Sequence, residues 1–577
     1  MTRLFNEPSA FADEMIEGFA AASARWVTAV PGGVVRSTRS SEDTVALVIG
    51  GGSGHYPAFG GLVGPGIAHG AAMGNLFASP SSQQVYTIAK TADQGKGVLL
   101  SYGNYAGDVL NFTEAQERLK AEGHDVRTVL GTDDIWSAPA DRPEERRGIA
   151  GLLALFKIAG AAAASGASLD DVERIAKLTR DRTRTFGVAF SGCTLPGADG
   201  PLFTVPEGKM AVGLGIHGEP GIDEVDVPTA DGLAEFFVSK LLEEVPPGVD
   251  REGARVVPLL NGLGSVKYEE LFVVYRAVHR LLEEAGLTVV EPDVGELCTS
   301  FDMAGCSLSL LWLDDELEEL WKAPADTPGY RKGSVAPQEH ADVVVAAVEE
   351  QEIPEASDAS RAAAQTISAA FDEIATAIDG AADELGRLDA VAGDGDHGIG
   401  MRRGAHAGRD AARAAADAGA GAQTTLLRAA DAWGDRAGGT SGVIWARILR
   451  SMAEQLGDTS DVTRTEVAAA VSAARDAVVE FGKAKIGQKT MVDAMTPFAD
   501  ELSERVAAGD SLVDAWSHAA GVAEEAAQET AALKATLGRA KSHGDKSVGS
   551  PDPGAVSFAL IGTTVSDVLA QHLEEDK

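Results

Sequence analysis

At 577 residues the chain exceeds what one hydrophobic core serves, and a prior of roughly 100 to 200 residues per domain gives three or four folding units. Hydrophobic residues at 45% and charged residues at 24% are the balance of a globular protein with ample core. A formal net charge of -38, from 49 basic and 87 acidic residues, argues against a nucleic-acid or anionic-membrane partner, which needs a basic face.

The first residues carry no apolar run after Arg3, which does not read as a signal peptide, and no segment reaches the roughly 20 apolar residues of a membrane span. A cytoplasmic protein is the expectation. Cys193, Cys298 and Cys306 have no metal spacing and cannot all pair, so buried thiols in a reducing compartment are expected.

Residues 44–49 form a β-branched apolar run without alternation, the pattern of a strand buried on both faces, and a glycine-rich loop follows at 50–55. The same grammar recurs at 97–100, 186–190 and 256–260, with helical patterns between, at 149–162 and 271–285. Strand, glycine loop and helix in repetition predict an α/β domain with ligands at the carboxyl ends of its strands. After a last strand at 307–313, proline, glycine and mixed charge mark a linker at 323–358, which bounds a first domain at 1–322. From 359 to 577 the text is Ala-rich and helical. Ile367, Phe371, Ile374, Ile378 and Leu385 keep the spacing of one amphipathic helix, so this domain reads as all-α.

The loop at 50–55 exposes backbone N–H groups but lacks the Gly-Lys-Ser/Thr ending of a Walker site. Close approach to a small uncharged ligand fits it better, with His55 as a hydrogen-bonding group or as a structural histidine. His217 lies in Gly-Leu-Gly-Ile-His-Gly-Glu-Pro-Gly, where flanking glycines leave little to shield the ring; an open neutral imidazole is a nucleophile toward an electrophilic carbon. Asp108 is a candidate carboxylate base at a strand end, or a helix N-cap, and the two roles are compatible. In the second domain Asp389, Asp394 and Asp396 offer hard oxygen ligands suited to Mg2+. Their spacing does not put them on one helical face, so Asp389 reads as ending a helix and the others as loop residues; a solvated Asp-Gly turn is the alternative. Residues 438–442 read as a helix N-terminus, a phosphate seat or a plain cap. Arg539 offers a guanidinium able to offset charge in phosphoryl transfer.

Together these residues resemble the dihydroxyacetone kinase family, in the form that fuses ketose-binding and nucleotide-binding domains in one chain. The resemblance covers essentially the whole sequence. It implies that Gly52, Ser53, Gly54, His55 and Asp108 surround a ketose whose carbonyl carbon His217 binds as a hemiaminal. It implies an eight-helix barrel whose Asp389, Asp394 and Asp396 hold two Mg2+ ions bridging to ATP. Nucleotide positions implied with them are His397, Gly398, Ile399, Gly400, Thr440, Ser441, Gly482, Met491, Arg539, Asp552, Pro553 and Gly554.

A hemiaminal discriminates a ketose from glycerol, because only a carbonyl can form it. Asp108 and His55 are then placed to accept or orient the proton of the terminal hydroxyl. The active site is expected where the two domains meet, with a homodimer as the assembly. Two departures from the family's pattern bear on substrate: Gly103 stands where the family usually has a lysine, and Tyr56 where it usually has an acid. A larger pocket and a four-carbon ketose, erythrulose, are the expectation, with dihydroxyacetone as the runner-up. Other classes are FMN cyclisation, a ketose-sensing regulator and a fatty-acid kinase; the intact aspartates speak against the regulator, and His217 with the glycine loops against the fatty-acid kinase.

Overall fold

The computed structural model of the protein describes residues 4–40, 44–198, 200–217, 219, 221, 223–345, 352–393, 395–538, 540–541 and 544–574. The chain divides into two compact units, residues 1–348 and 349–577.

In the first unit, β1 (Val27–Val30), β2 (Gly33–Arg36), β3 (Ala46–Ser53), β4 (Gly70–Leu76), β5 (Val98–Gly103) and β6 (Val126–Gly131) make one sheet in the order β1-β2-β4-β3-β5-β6. The pairs β3/β4, β3/β5 and β5/β6 are parallel. A second sheet holds β7 (Thr183–Ser191), β8 (Lys209–Val212), β9 (Asp223–Asp226), β10 (Arg255–Gly262), β11 (Thr288–Val289), β12 (Asp293–Gly295) and β13 (Ala304–Leu313). Its long strands β7, β13 and β10 run antiparallel. Both faces of these strands are covered, so their hydrophobic runs are continuous and look like parallel strands in the sequence.

Helices α1 (Phe11–Ala22), α2 (Ser82–Ala92), α3 (Ala106–Ala121), α4 (Gly151–Ala164), α5 (Leu169–Asp181), α6 (Ala230–Leu242), α7 (Tyr268–Glu284) and α8 (Asp315–Lys322) complete the unit. Helix α4 packs on β3, β5 and β6 of the first sheet and on β7 and β13 of the second. It is buried from Gly151 to Ala163, as a helix apolar on all sides must be. The stretch read as the start of a linker instead closes this unit. There β14 (Ala325–Asp326) and β15 (Arg331–Lys332) pair antiparallel, and Gly329 donates its N–H to the Gly61 carbonyl. The three cysteines are free and buried, and burial pushes each thiol up to about 12.

In the second unit, α9 (Asp358–Asp389), α10 (His397–Asp417), α11 (Ala422–Ala437), α12 (Gly439–Gln455), α13 (Arg464–Gly482), α14 (Val492–Ala508), α15 (Leu512–Glu529) and α16 (Pro553–Glu574) follow one another. Each packs on the next and α16 returns to α9, so the helices close into a ring. Its core includes Phe371, Trp433, Trp445, Phe498, Trp516 and Phe558. Most connections are short, which sets neighbours antiparallel. The starts of α10, α12, α14 and α16 therefore share one rim with the ends of α9, α11, α13 and α15. Helix α16 is long and apolar enough to cross a membrane, but Phe558 and Ile561 are buried in this core and Trp516 Nε1 donates to the Gly562 carbonyl.

Candidate active site

Strand β3 does not stop at Ile49, where the sequence places a loop, but runs through the glycines to Ser53. A Cβ on Gly50 would stand 2.5 Å from the Ala72 carbonyl oxygen, and one on Gly51 2.5 Å from the Phe59 ring. Glycine here serves close packing inside the sheet and only then, at Gly54 with φ +104°, the turn that presents His55.

His55 is buried, stacked on Phe77 with centroids 5.0 Å apart. Its Nδ1 donates to the Thr299 carbonyl at 2.8 Å, and its Nε2 lies 3.1 Å from Nε2 of His217. His217 follows β8, and its Nδ1 donates to Glu219 Oε1 at 2.9 Å, while its backbone N–H donates to the other carboxylate oxygen at 3.0 Å. The open access expected of this ring is not found: its side chain is 8% exposed. Phe77, Tyr105 and His55, all from distant segments, present their faces or edges to it. The flanking glycines make room for something else. A Cβ on Gly215 would lie 2.0 Å from Glu219 Oε2 and 2.7 Å from Arg147 Nη1.

Arg147 bridges onward, 3.8 Å from Glu219 and 2.9 Å from the fully buried Asp134. Burial pushes the Glu219 carboxyl up, but His217 and Arg147 outweigh it and hold the group well below the usual carboxylate range. Proton counting then fixes the charge of the histidine pair. A carbonyl and an ionised carboxylate accept only, so both Nδ1 atoms carry protons, and the Nε2 to Nε2 contact requires a third. Three N–H protons on two imidazoles leave one positive charge, which faces Glu219. Burial, then the neighbouring His217, lowers His55 to about 3.

Asp108 is buried in the first turn of α3, after β5. Tyr105 is the N-cap position, so the capping role considered for Asp108 does not hold. Ser53 Oγ donates to the Gly74 carbonyl at 2.6 Å. Gly103 does not enlarge a pocket: a Cβ there would meet the Tyr105 ring at 2.9 Å, so that ring already fills the space and stands 4.5 Å, centroid to centroid, from His217. Tyr56 borders the outer side of the glycine turn that presents His55, in a cavity that Gly52, Ser53 and Gly54 also line. It is half exposed, sits edge-on to Phe19 and shares this cavity, of about 260 Å³, with Phe11, Met15, Phe301 and Glu296.

On the rim of the helical ring, Asp389 ends α9 and accepts from the Gly395 N–H at 2.9 Å, and Asp396 is the N-cap position of α10. Crowding by the surrounding backbone, then the adjacent Asp389 carboxylate, pushes the Asp396 carboxyl above the usual carboxylate range, although its surface is exposed. Two neighbouring acids that repel one another, Asp389 half-buried and Asp396 exposed and open to an incoming ion, are a donor set that fits a hard divalent cation, whose charge would reverse that shift. Asp394 and Arg539 lie outside the described residues, and among the described residues no three metal-ligating side chains gather.

His397, first residue of α10, reaches Ser441 Oγ at 3.1 Å and Ser557 Oγ at 3.0 Å, tying together the starts of α10, α12 and α16. Gly398, Ile399 and Gly400 follow in the first turn of α10, and Thr440 precedes Ser441 in that of α12. Gly482 ends α13, Met491 precedes α14, and Asp552 accepts from the Ala555 N–H at 2.8 Å to open α16 at Pro553 and Gly554. Every described nucleotide candidate thus sits on one rim, with four helix N-termini whose partial positive charge suits phosphate. Glu219, Arg147, Asp134 and Tyr105 were not singled out from the sequence. The glycine at 215 is the one local signal of Glu219; nothing near residues 134 or 147 announces the pairing.

Residues 17–329 match the Dak1 domain and residues 391–567 the DAK2 domain. The chain is 57% identical to the L-erythrulose kinase of Pectobacterium atrosepticum, over 99% of this chain and 97% of that one. It is 51% identical to the D-erythrulose kinase of Mycolicibacterium smegmatis, over 99% of each. Among solved structures, the dihydroxyacetone kinase from C. freundii in complex with AMP-PNP and Mg2+ is similar, with TM-score 0.52 and 26% identity over 98% of this chain and 99% of that one.

Proposed function

The chain belongs to the dihydroxyacetone kinase family, and from that premise we propose that it is an ATP-dependent kinase acting on the terminal hydroxyl of erythrulose. Near full-length identity of 57% and 51% to two erythrulose kinases is the observation that carries the four-carbon substrate. Gly103 no longer argues for it, since Tyr105 takes the room. Dihydroxyacetone is the alternative substrate, and a homodimeric cytoplasmic enzyme belongs to the same reading on the resemblance alone.

The histidine pair supports covalent anchoring at His217. When the shared proton moves fully to His55, the lone pair of His217 Nε2 is free and attacks the ketose carbonyl carbon. The C=O π bond breaks, and the oxygen takes the proton from His55 Nε2. The product is a hemiaminal on a positively charged imidazolium beside Glu219, with His55 neutral, so the net charge of the pair is unchanged. Glu219 therefore stabilises the site equally before and after bond formation, and no charge has to be buried on the way.

Anchoring fixes the terminal hydroxyl, whose proton Asp108 accepts as its oxygen attacks the γ-phosphoryl group and ADP leaves. Asp389 and Asp396, with Asp394, would hold Mg2+, which supplies charge neutralisation on the transferring phosphoryl. Arg539 is the proposed cationic contact to the nucleotide, which the N-termini of α10, α12, α14 and α16 receive.

The test is a coupled ADP-release assay giving kcat/KM for D-erythrulose, L-erythrulose, dihydroxyacetone and glycerol. Turnover of ketoses with glycerol inert, and with either erythrulose above dihydroxyacetone, is the expected result. Dihydroxyacetone ranking first would overturn the four-carbon substrate, and glycerol turnover would remove the covalent anchor.

A further inference from the structure

Lys489 lies between the end of α13 and the start of α14 with φ +62°, in the left-handed region that non-glycine residues avoid. Its side chain is buried, and among the described residues its ammonium hydrogen-bonds to backbone carbonyls, with Asp552 and Asp493 as charged neighbours. Nζ donates to the carbonyl oxygens of Thr530 at 2.8 Å, Leu533 at 3.1 Å, Ser547 at 2.8 Å and Ser550 at 2.6 Å. Four acceptors share three protons, so the ammonium binds as a point charge more than as a set of one-to-one donors.

Four carbonyls converging at such distances are how proteins hold a dehydrated potassium ion, the oxygens standing in for its water shell. We propose that these carbonyls form a monovalent-cation cage, that Lys489 is its tethered cation, and that the filled cage sets the rim where nucleotide binds.

The connections outward carry the second half of the proposal. All four carbonyls come from the connection between α15 and α16, so the cage folds that segment onto the one before α14. On one side Ser550 leads to Asp552, whose N–H donates to Thr530 Oγ1 at 2.8 Å and whose carboxylate caps α16. On the other, Asp493 accepts from the N–H groups of Gly487 and Thr490 and so holds the backbone on either side of Lys489. Met491 then lies against Gly554, 3.5 Å from where a Cβ would stand. Emptying the cage releases both segments at once.

Lys489→Gly is the informative variant, because glycine is at ease at this φ and the cage is left vacant. Lys489→Met fills the same space without charge. Each full-length protein is melted, and titrated with AMP-PNP and Mg2+, in potassium chloride and in choline chloride. The Gly variant is expected to melt lower in choline and to bind AMP-PNP at least about tenfold more weakly than the parent, with potassium restoring most of both. The Met variant and the parent should not distinguish the salts. Equal behaviour of the Gly variant in the two salts, or equal rescue of the Met variant, would overturn the cage. The nucleotide arm rests on the kinase reading: a parent that fails to bind AMP-PNP overturns that reading, while the melting arm still decides the cage.

Discussion

Glu219 holds the charge on which the histidine pair depends, and it is the residue whose replacement is most informative. Glu219→Gln keeps an acceptor for His217 Nδ1 but removes the countercharge for the shared proton. We expect kcat/KM for the ketose to fall by about 100-fold or more, since replacing the carboxylate that orients a reactive imidazole costs up to about 10⁴ in a hydrolytic triad. The KM for ATP should stay unchanged; an equal rise in both KM values would show a merely structural role. His55 supplies a pH prediction. Its folded value of about 3 lies below the unfolded 6.5, so the unfolded chain takes up the proton first as pH falls. Its stabilising contribution is complete above pH 6.5 and is lost as pH drops toward 3. Glu219, also depressed, loses its contribution in acid with the same sign. Thermal melts from pH 7 to pH 4 should therefore show a falling midpoint, and His55→Asn should flatten the limb below pH 6.5. His55 and His217 were legible in the sequence because glycines isolate them. Arg147 and Asp134 were not, because Arg147 is distant from Glu219 in the chain and only the fold brings it between that carboxylate and Asp134.

At the scale of elements, the helical ring places its candidate nucleotide residues by close packing of small residues. A Cβ on Gly398 would lie 1.9 Å from the Ala382 carbonyl oxygen, so α10 crosses α9 with backbone against backbone. Gly482, at the end of α13, has nothing within 4 Å of the same construction. The two glycines should thus respond oppositely to one methyl group. Gly398→Ala is expected to cost about 1–3 kcal/mol in denaturant unfolding, as overpacking does, and to weaken ATP with it. Gly482→Ala should leave stability within about 0.5 kcal/mol, so that any loss of ATP affinity there reports contact with the nucleotide. The amphipathic spacing from Ile367 to Leu385 predicted α9 well, because a helix on a ring has one buried face. Strand ends were read too short. The sequence shows glycine at 50–53 and suggests a loop, whereas glycine within a covered sheet also marks the places where neighbours come within contact of the backbone.

For the molecule as a whole, composition named the charge but not where it acts. The net charge of -38 includes Asp389, Asp396, Asp493 and Asp552, all on the rim that carries the nucleotide candidates. Burial, then Asp493 among its neighbours, pushes Asp552 up to about 7, so these acids already repel one another. Nucleotide is an anion even with Mg2+ bound, whereas a short ketose is neutral. Only the first should feel the field of the chain, and only over the Debye length, about 10 Å at 0.1 M salt. Raising ionic strength from about 20 to 200 mM should therefore increase kcat/KM for MgATP severalfold, since screening removes long-range repulsion from the encounter. The KM for erythrulose should not move, because the charged groups around His217 are buried and largely beyond the reach of added salt. An opposite slope for MgATP would mean that helix N-termini and local cations outweigh the acids on that rim, and that the acidic surface serves solubility alone.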